Sequence, residues 1–304
     1  MTSTLDKPVK APTFQGVSLR RKVTNNVATV LVTGSVLVAV VPLVWVLLTV
    51  IVKGFGAVTS STWWFNSQAG MTAFQAGGGA YHAIVGTLLQ GLVCAVISIP
   101  IGVFVGIYLV EYGGGTRLGK LTTFMVDILT GVPSIVAALF IYAMWVATLG
   151  FERSGFAVSL ALVLLMIPVI VRSTEEMLRI VPMDLREASY ALGVPKWKTI
   201  SAIVVPTALS GIVTGILLSL ARVMGETAPL LILVGYSQAM NFDVFGGFMG
   251  SLPGMMFDQT SAGAGANPVP TDRLWGAALT LVVLIAALNI GARFIAKFFA
   301  PKKV

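Results

Sequence analysis

Two charged residues interrupt one of the most apolar parts of the chain. Arg222 and Glu226 are the only charged residues in the segment 208–236, whose midpoint is position 222. An arginine at the centre of a membrane helix costs about 2.5–3.5 kcal/mol on the mildest insertion scale, so Arg222 is expected to face a partner or a water-filled cavity. In a continuous helix Glu226 falls on the same face, where it pairs with Arg222.

This pair allows two interpretations. In the structural one, Arg222 and Glu226 form a buried ion pair that fixes helix packing. In the functional one, Arg222 lines the path of an oxyanion, because a guanidinium matches phosphate oxygens bidentately and keeps its charge. Glu226 would then hold Arg222 in place or accept the proton of a protonated phosphate, which would disfavour sulfate. Pro229 deprives the Gly225 carbonyl of its helical partner and predicts a bend here.

The elements that must position these residues are membrane helices. Of the 304 residues, 56% are hydrophobic and 11% are charged, whereas a soluble domain averages about 25% charged residues. This composition excludes an ordinary soluble enzyme and a disordered chain. We predict an all-α, polytopic protein with about six transmembrane helices, since each span needs about 20 apolar residues. The expected spans are 27–52, 83–110, 121–149, 154–171 (short, and interrupted by Pro168), 208–236 and 274–292.

The basic residues predict the orientation. With the amino terminus inside, 16 of the 20 Lys and Arg residues fall in cytoplasmic segments and three fall outside, a strong positive-inside bias. We therefore expect a plasma-membrane protein with both termini cytoplasmic, and the net charge of +8 indicates topology, not nucleic acid. The expected parts are a cytoplasmic tail (1–26), a transmembrane domain (27–299) with a cytoplasmic loop (172–206), and a cytoplasmic carboxyl terminus (300–304).

No catalytic or metal centre is expected in this chain. Gly114–Lys120 matches G-x-x-x-x-G-K, but Leu121 stands where a nucleotide-binding loop needs Ser or Thr, and an apolar helix precedes it. The single histidine, His82, and the single cysteine, Cys94, cannot build a metal site alone. We expect His82 at a membrane interface, the pair Trp63–Trp64 in an interface belt, and loop 237–273 as an outer connector or re-entrant segment.

The loop 172–206 predicts a docking helix. Asp184 to Glu187 has the form of a capping box, and Gly193 is suited to a left-handed helix end. A second helix is expected from Lys196 to Val205, ended by Pro206. An apolar stripe at helical spacing suits a groove on a partner. The alternative is that the stripe packs on the chain's own helix ends. Its members are Leu185, Ala188 and Leu192.

The same loop resembles the EAA signature of ABC importer permeases, E-A-A-x₃-G-x₉-I-x-L-P. The chain departs from this pattern at Ser189 and Val205. Further runs resemble the phosphate-uptake branch of that family, and the residues after Gly225-Glu226-Thr227 resemble its PstA-type subunits. The matching runs are Glu187-Ala188-Ser189, Gly193, Ile203–Pro206, Leu185–Gly193, Pro195–Lys198, Ala221–Leu231 and Gly131–Val136.

This resemblance implies the type I, MetI-like importer permease fold. It also implies a second homologous permease, a dimeric cytoplasmic ATPase that docks on the coupling helix, and an extracytoplasmic phosphate-binding protein. ATP and Mg²⁺ would bind the ATPase, so this chain would hold no cofactor and would be no enzyme by itself. In this family, charges at positions matching Arg172 and Glu175 are associated with transport; their plain interpretation is interfacial anchoring.

Other functions stay open at this point. The chain could transport another oxyanion, such as sulfate or molybdate. It could be a secondary transporter or channel without an ATPase, although corresponding broken helices in two halves are absent from the sequence. A role in reporting phosphate to a sensor kinase would leave no mark in the residues.

Overall fold

The computed structural model describes residues 18–299, with side chains through residue 294, and these residues form helices without a strand. Residues 1–17 of the expected tail, and the expected carboxyl terminus 300–304, lie outside the described residues. The helices are α1 (Leu19–Val58), α2 (Ser61–Phe65), α3 (Tyr81–Ile107), α4 (Arg117–Thr130), α5 (Ser134–Ile141), α6 (Gly155–Ile180), α7 (Met183–Ala191), α8 (Lys196–Thr199), α9 (Val205–Met224), α10 (Ala228–Leu233), α11 (Leu252–Ser261) and α12 (Pro268–Phe299).

The chain divides into two compact units, Met1–Thr49 and Val50–Val304. Within the first unit the structure describes the apolar amino-terminal part of α1. The second unit carries every residue discussed for function. Between residues 18 and 299, five helices are long and apolar enough to cross a membrane, and the bent pair α4–α5 makes a sixth candidate.

Helix α6 is the centre of the second unit. Its small and aliphatic side chains are buried over most of its length, and Pro168 lies inside the helix without ending it. The expected fourth span therefore stopped too early at 171, because α6 continues to Ile180.

Glycine pairs on two neighbouring helices allow α3 and α9 to approach α6 closely. A Cβ at Gly106 of α3 would lie 2.7 Å from the Cβ of Thr174 on α6. On α9, a Cβ at Gly215 would collide with Ser173. The G-x-x-x-G spacings of Gly102/Gly106 and Gly211/Gly215 thus mark helix contacts, as in other membrane proteins.

The third expected span is broken. Helices α4 and α5 are separated at 131–133 and bent by 107°. Pro133 has an extended backbone and serves as the N-cap of α5. Because proline also disfavours a helical conformation in the preceding Val132, it favours a break at this point.

The fifth expected span is displaced toward the amino terminus. A continuous helical run extends from Lys196 to Met224, and the chain then breaks before α10. Pro206 does not end the helix that begins at Lys196, because the preceding residues Ile200–Val204 form a π-helical segment. Such wider turns are common where a helix must absorb an irregularity.

Trp63 of α2 and His82 of α3 are more buried than expected. Trp63 is 4% exposed and its Nε1 donates a 2.8 Å hydrogen bond to Thr280 Oγ1 on α12, so it belongs to the core, not to an interface belt. His82 is also buried, and its Nε2 lies 2.9 Å from the hydroxyl of Tyr236. Burial raises the pKa of the Tyr236 phenol above its ordinary value.

The segment after α10 is partly helical. Residues 237–251 are irregular, and α11 then packs on α12 and α3. Leu252 and Met255 of α11 are fully buried. This part of loop 237–273 is therefore integrated into the core, not a simple connector.

Candidate functional site

Charged side chains link the carboxyl end of α6 to α4. Arg172 Nη1 donates to Glu175 Oε2 at 2.7 Å, and Arg179 Nη2 donates to Glu175 Oε1 at 2.5 Å. Arg172 also donates through Nη2 to Asp127 on α4. Glu175 is 4% exposed. The two arginines and two carboxylates balance in charge, and each Arg172–carboxylate contact occupies guanidinium donors that an oxyanion would need.

Arg222 lies in a different electrostatic setting. It is in the last turn of α9, and its side chain is exposed. Among the described residues, no carboxylate lies within ion-pair distance of it. A positive charge in the last turn of a helix interacts favourably with the helix dipole, which helps to hold Arg222 there.

The expected pair of Arg222 and Glu226 is wrong. Helix α9 ends at Met224, and Gly225 caps it. Residues four apart share a face only within one continuous helix, so the break removes Glu226 from the face of Arg222. Pro229 lies in the first turn of α10, where proline needs no helical hydrogen-bond partner. The expected bend is thus a complete break.

Glu226 instead borders a small cavity next to α3 and α11. It is half-buried, and Thr87, Gln90 and Ser251 supply other polar groups of the lining. Gln90 is 3% exposed, and its Nε2 has no partner among the described residues. The cavity holds about 10 Å³, room for about one water molecule.

The docking helix predicted in the loop corresponds to α7. It begins at Met183, and its N-cap Pro182 makes no side-chain hydrogen bond, so the expected capping box is absent. Asp184 lies in the first turn instead, where a carboxylate stabilises the helix dipole. Gly193 has φ +74°, which confirms the predicted left-handed helix end.

The apolar stripe of α7 points away from the chain. Leu185 is 41% exposed and Leu192 is 83% exposed, and Ala188 and Glu187 are exposed with them. The alternative in which this stripe packs on the chain's own helix ends is therefore wrong. Trp197 of α8, 65% exposed, enlarges the exposed apolar surface. We call Leu185, Glu187, Ala188, Leu192 and Trp197 the docking face.

The opposite side of α7 is buried by polar contacts. Ser189, where the EAA pattern has alanine, has its hydroxyl 2.8 Å from the Thr199 hydroxyl of α8. Arg186 is 7% exposed and donates to Glu111 Oε1 at 2.9 Å. These contacts fix α7 with its apolar stripe outward.

Glu111 is a residue that the sequence analysis missed. It lies at the carboxyl end of the run that starts with α3, in a π-helical segment, Tyr108–Tyr112. The available signal was its position, since it is the first charged residue after an apolar stretch of about 20 or more residues. A single acidic side chain there requires a cationic partner, which Arg186 supplies from 75 residues further along the chain.

These features define an α-helical membrane domain with an exposed amphipathic helix. The family model described as "Binding-protein-dependent transport system inner membrane component" matches residues 98–304, and the chain belongs to this family. It is a multi-pass membrane component of a transport system, not a catalytic enzyme. Membership in this family excludes the alternative of a secondary transporter or channel.

Named relatives cover nearly the whole chain. The phosphate transport system permease protein PstA of Mycobacterium leprae is 55% identical over 303 residues, which span 99% of this chain and 97% of that protein. The protein of the same name from Yersinia pestis is 39% identical over 285 residues, or 93% and 92% of the two chains.

Solved structures share the fold. A chain of the MetNI methionine ABC transporter aligns with a TM-score of 0.55 at 18% identity, covering 73% of this chain and 94% of its own length. A chain of a bacterial alginate ABC transporter aligns with a TM-score of 0.61 at 11% identity, covering 91% and 98%. The fold is therefore that of the MetI-type ABC importer permeases, as the resemblance in the docking loop implied.

Proposed function

We propose that this chain is the transmembrane permease subunit of an ATP-driven importer of inorganic phosphate. The relatives named phosphate permeases, which align over almost the full length, support the substrate. The observation that carries the mechanism is Arg222, an exposed guanidinium beside a helix break with no carboxylate of the described residues within ion-pair distance. A guanidinium in this setting is suited to bind an oxyanion on a path between this chain and a second, homologous permease.

The other candidate residues have distinct proposed roles. Glu226 accepts the proton of a protonated phosphate, which favours phosphate over sulfate. Arg172 and Glu175 belong to the wall of the path, where Glu175 holds Arg172 and Arg172 ties α6 to Asp127 of α4. This chain binds no cofactor, and ATP with Mg²⁺ binds the partner ATPase.

The docking face supports a coupling role. Leu185, Glu187, Ala188 and Leu192 present a short amphipathic surface suited to a groove. Ser189 and Gly193 fix the shape of this helix from its inner side and its end. We assign the face to a dimeric cytoplasmic ATPase. In this orientation the amino and carboxyl termini lie in the cytoplasm. The segment before α11 then faces an extracytoplasmic phosphate-binding protein.

The organisation of the chain follows from this assignment. Residues 1–26 and 300–304 are cytoplasmic ends, residues 27–299 form the permease domain within membrane lipid, and residues 172–206 contain the coupling loop. The basic residues concentrated on the predicted cytoplasmic side support this orientation.

The test uses the complete complex in liposomes. Phosphate with its binding protein is expected to stimulate ATP hydrolysis and to accumulate inside, whereas sulfate and molybdate are expected to do neither. Leu192→Asp should uncouple ATP hydrolysis from uptake, while Leu118→Asp, an equally drastic change at an exposed leucine outside α7, should not. Equal stimulation by sulfate, or a preparation in which no ATPase co-purifies, would contradict the proposal.

A further inference from the structure

Glu111 contacts both helices of the docking loop. Its carboxylate accepts the 2.9 Å hydrogen bond from Arg186 Nη2 on α7, and the two side chains are 6% and 9% exposed. Its backbone carbonyl accepts a hydrogen bond from the Lys196 ammonium at the start of α8. The same ammonium lies 4.7 Å from the ring centroid of Tyr112. The end of the α3 run is thereby tied to both short helices.

Arg186 extends these ties to a third element. Its Nη2 also donates to the Leu178 carbonyl at 2.9 Å, and its Nη1 donates to the Val181 carbonyl at 3.2 Å. These acceptors lie at the carboxyl end of α6 and just beyond it. One buried guanidinium therefore connects α7, the α3 run and α6, and charge-assisted bonds of this kind are both strong and directional.

The arrangement separates two surfaces of one short helix. Leu185 and Leu192 face outward, while Arg186, next to Leu185 in sequence, faces inward to Glu111. A displacement of the docking face can reach the membrane helices only through the contacts on the buried side of α7. The π-helical segment around Glu111 is a wide turn, and such turns are frequent at functional positions of helices.

We propose that Glu111 is a positioning residue that makes the α3 run move together with α7, so that displacement of the docking face reaches the membrane helices. This inference rests on the proposed function, because it assigns an internal route to the coupling that the docking face begins. A structural role alone would require only that the buried charge of Arg186 be balanced. The two roles differ in their effect on the ratio of phosphate uptake to ATP hydrolysis.

The experiment measures that ratio for the complete complex in liposomes. Glu111→Gln keeps the shape of the side chain and removes its charge. Glu111→Asp keeps the charge and shortens the reach by one methylene. The double variant Glu111→Met with Arg186→Met removes the buried charges together, which is often tolerated energetically. Arg117→Gln, at an exposed cation in the first turn of α4, is the matched control.

We expect the assembled Glu111 variants to hydrolyse ATP while phosphate uptake per ATP falls about tenfold, the effect of roughly one lost charge-assisted contact. The double variant should assemble as well as the unaltered complex and still couple poorly, and Arg117→Gln should couple normally. Normal coupling in the double variant would overturn the inference and leave a charge-balancing role. Failure of every Glu111 variant to assemble would also overturn it, because the pair would then act in folding alone. Loss of coupling in the unaltered complex would instead refute the proposed function.

Discussion

Arg172 and Arg222 are both arginines on largely apolar helices, but their surroundings differ. Arg172 is bound by Glu175 and Asp127, within a cluster whose charges cancel. Arg222 is exposed at the end of α9 and has no carboxylate partner among the described residues. An arginine whose donors are occupied by the protein stabilises the bundle, whereas an arginine without a carboxylate is available to an anionic substrate.

The difference arises from helix continuity. Arg172, Glu175 and Arg179 are spaced by three and four residues in one unbroken helix, so they meet on one face. Arg222 and Glu226 have similar spacing, but Gly225 ends the helix between them. The break at Gly225 is thus what leaves Arg222 without a partner.

Removing the charge of Arg222 should have the largest effect on transport. Arg222→Gln is expected to lower phosphate uptake by about 100-fold, as for other losses of a preorganised charged donor. The complex should assemble normally, because no ion pair is broken. Uptake of labelled phosphate and the yield of purified complex measure the two properties. Arg153→Gln, at another exposed arginine, is the control. Near-normal uptake in Arg222→Gln would mean that the oxyanion does not bind at Arg222.

Removing the charge of Glu175 should affect stability first. In Glu175→Gln, two arginines lose a shared, buried carboxylate, which should lower the stability of the complex by about 3 kcal/mol. Thermal unfolding of the detergent-solubilised complex measures this loss. A complex as stable as the unaltered one, with uptake nevertheless abolished, would show that Glu175 contacts the substrate directly.

Neutralising Glu226 should change selectivity. Glu226→Gln is expected to reduce phosphate uptake by about tenfold and to make sulfate a better competitor, because a site that binds a substrate hydroxyl rejects analogues without it. Competition between labelled phosphate and excess sulfate measures the change. If sulfate competes equally weakly in both forms, Glu226 has no part in recognising the proton.

Asp127 should matter least. Its side chain is 59% exposed, so its bond to Arg172 is accessible to solvent. Exposed pairs contribute about 0–1 kcal/mol, and Asp127→Asn should change stability within that range and leave uptake within about twofold. The same unfolding and uptake assays apply. A loss as large as that of Glu175→Gln would mean that the four charges act as one unit.

The sequence predicted the local features of this molecule well. The number and apolar character of the spans, the start of the second short helix at Lys196 and the left-handed Gly193 all depend on residues close in sequence. The EAA resemblance also predicted the fold and the outward stripe of α7. These predictions follow from hydrophobic periodicity, from a single glycine or proline, or from a motif with fixed spacing.

The errors concern features that depend on distant contacts or on the exact position of a break. No residue close to Glu111 in the sequence indicates that it binds Arg186, and none close to Trp63 indicates its hydrogen bond to Thr280. Hydropathy gave 208–236 as one span because Gly225 and Pro229 are also tolerated inside membrane helices. The structure places Arg222 at a helix end instead of a helix centre, and that displacement decides which carboxylate it can reach.

Giving Arg222 a carboxylate partner tests the central claim most directly. Leu218 lies four residues before Arg222 in the same helix and is 69% exposed, so Leu218→Glu should pair with Arg222 much as Glu175 pairs with Arg179. We predict that Leu218→Glu reduces phosphate uptake as severely as Arg222→Gln, whereas the equally polar Leu218→Gln transports nearly normally. Normal uptake by Leu218→Glu in an assembled complex would contradict the claim that an unpaired Arg222 binds the oxyanion.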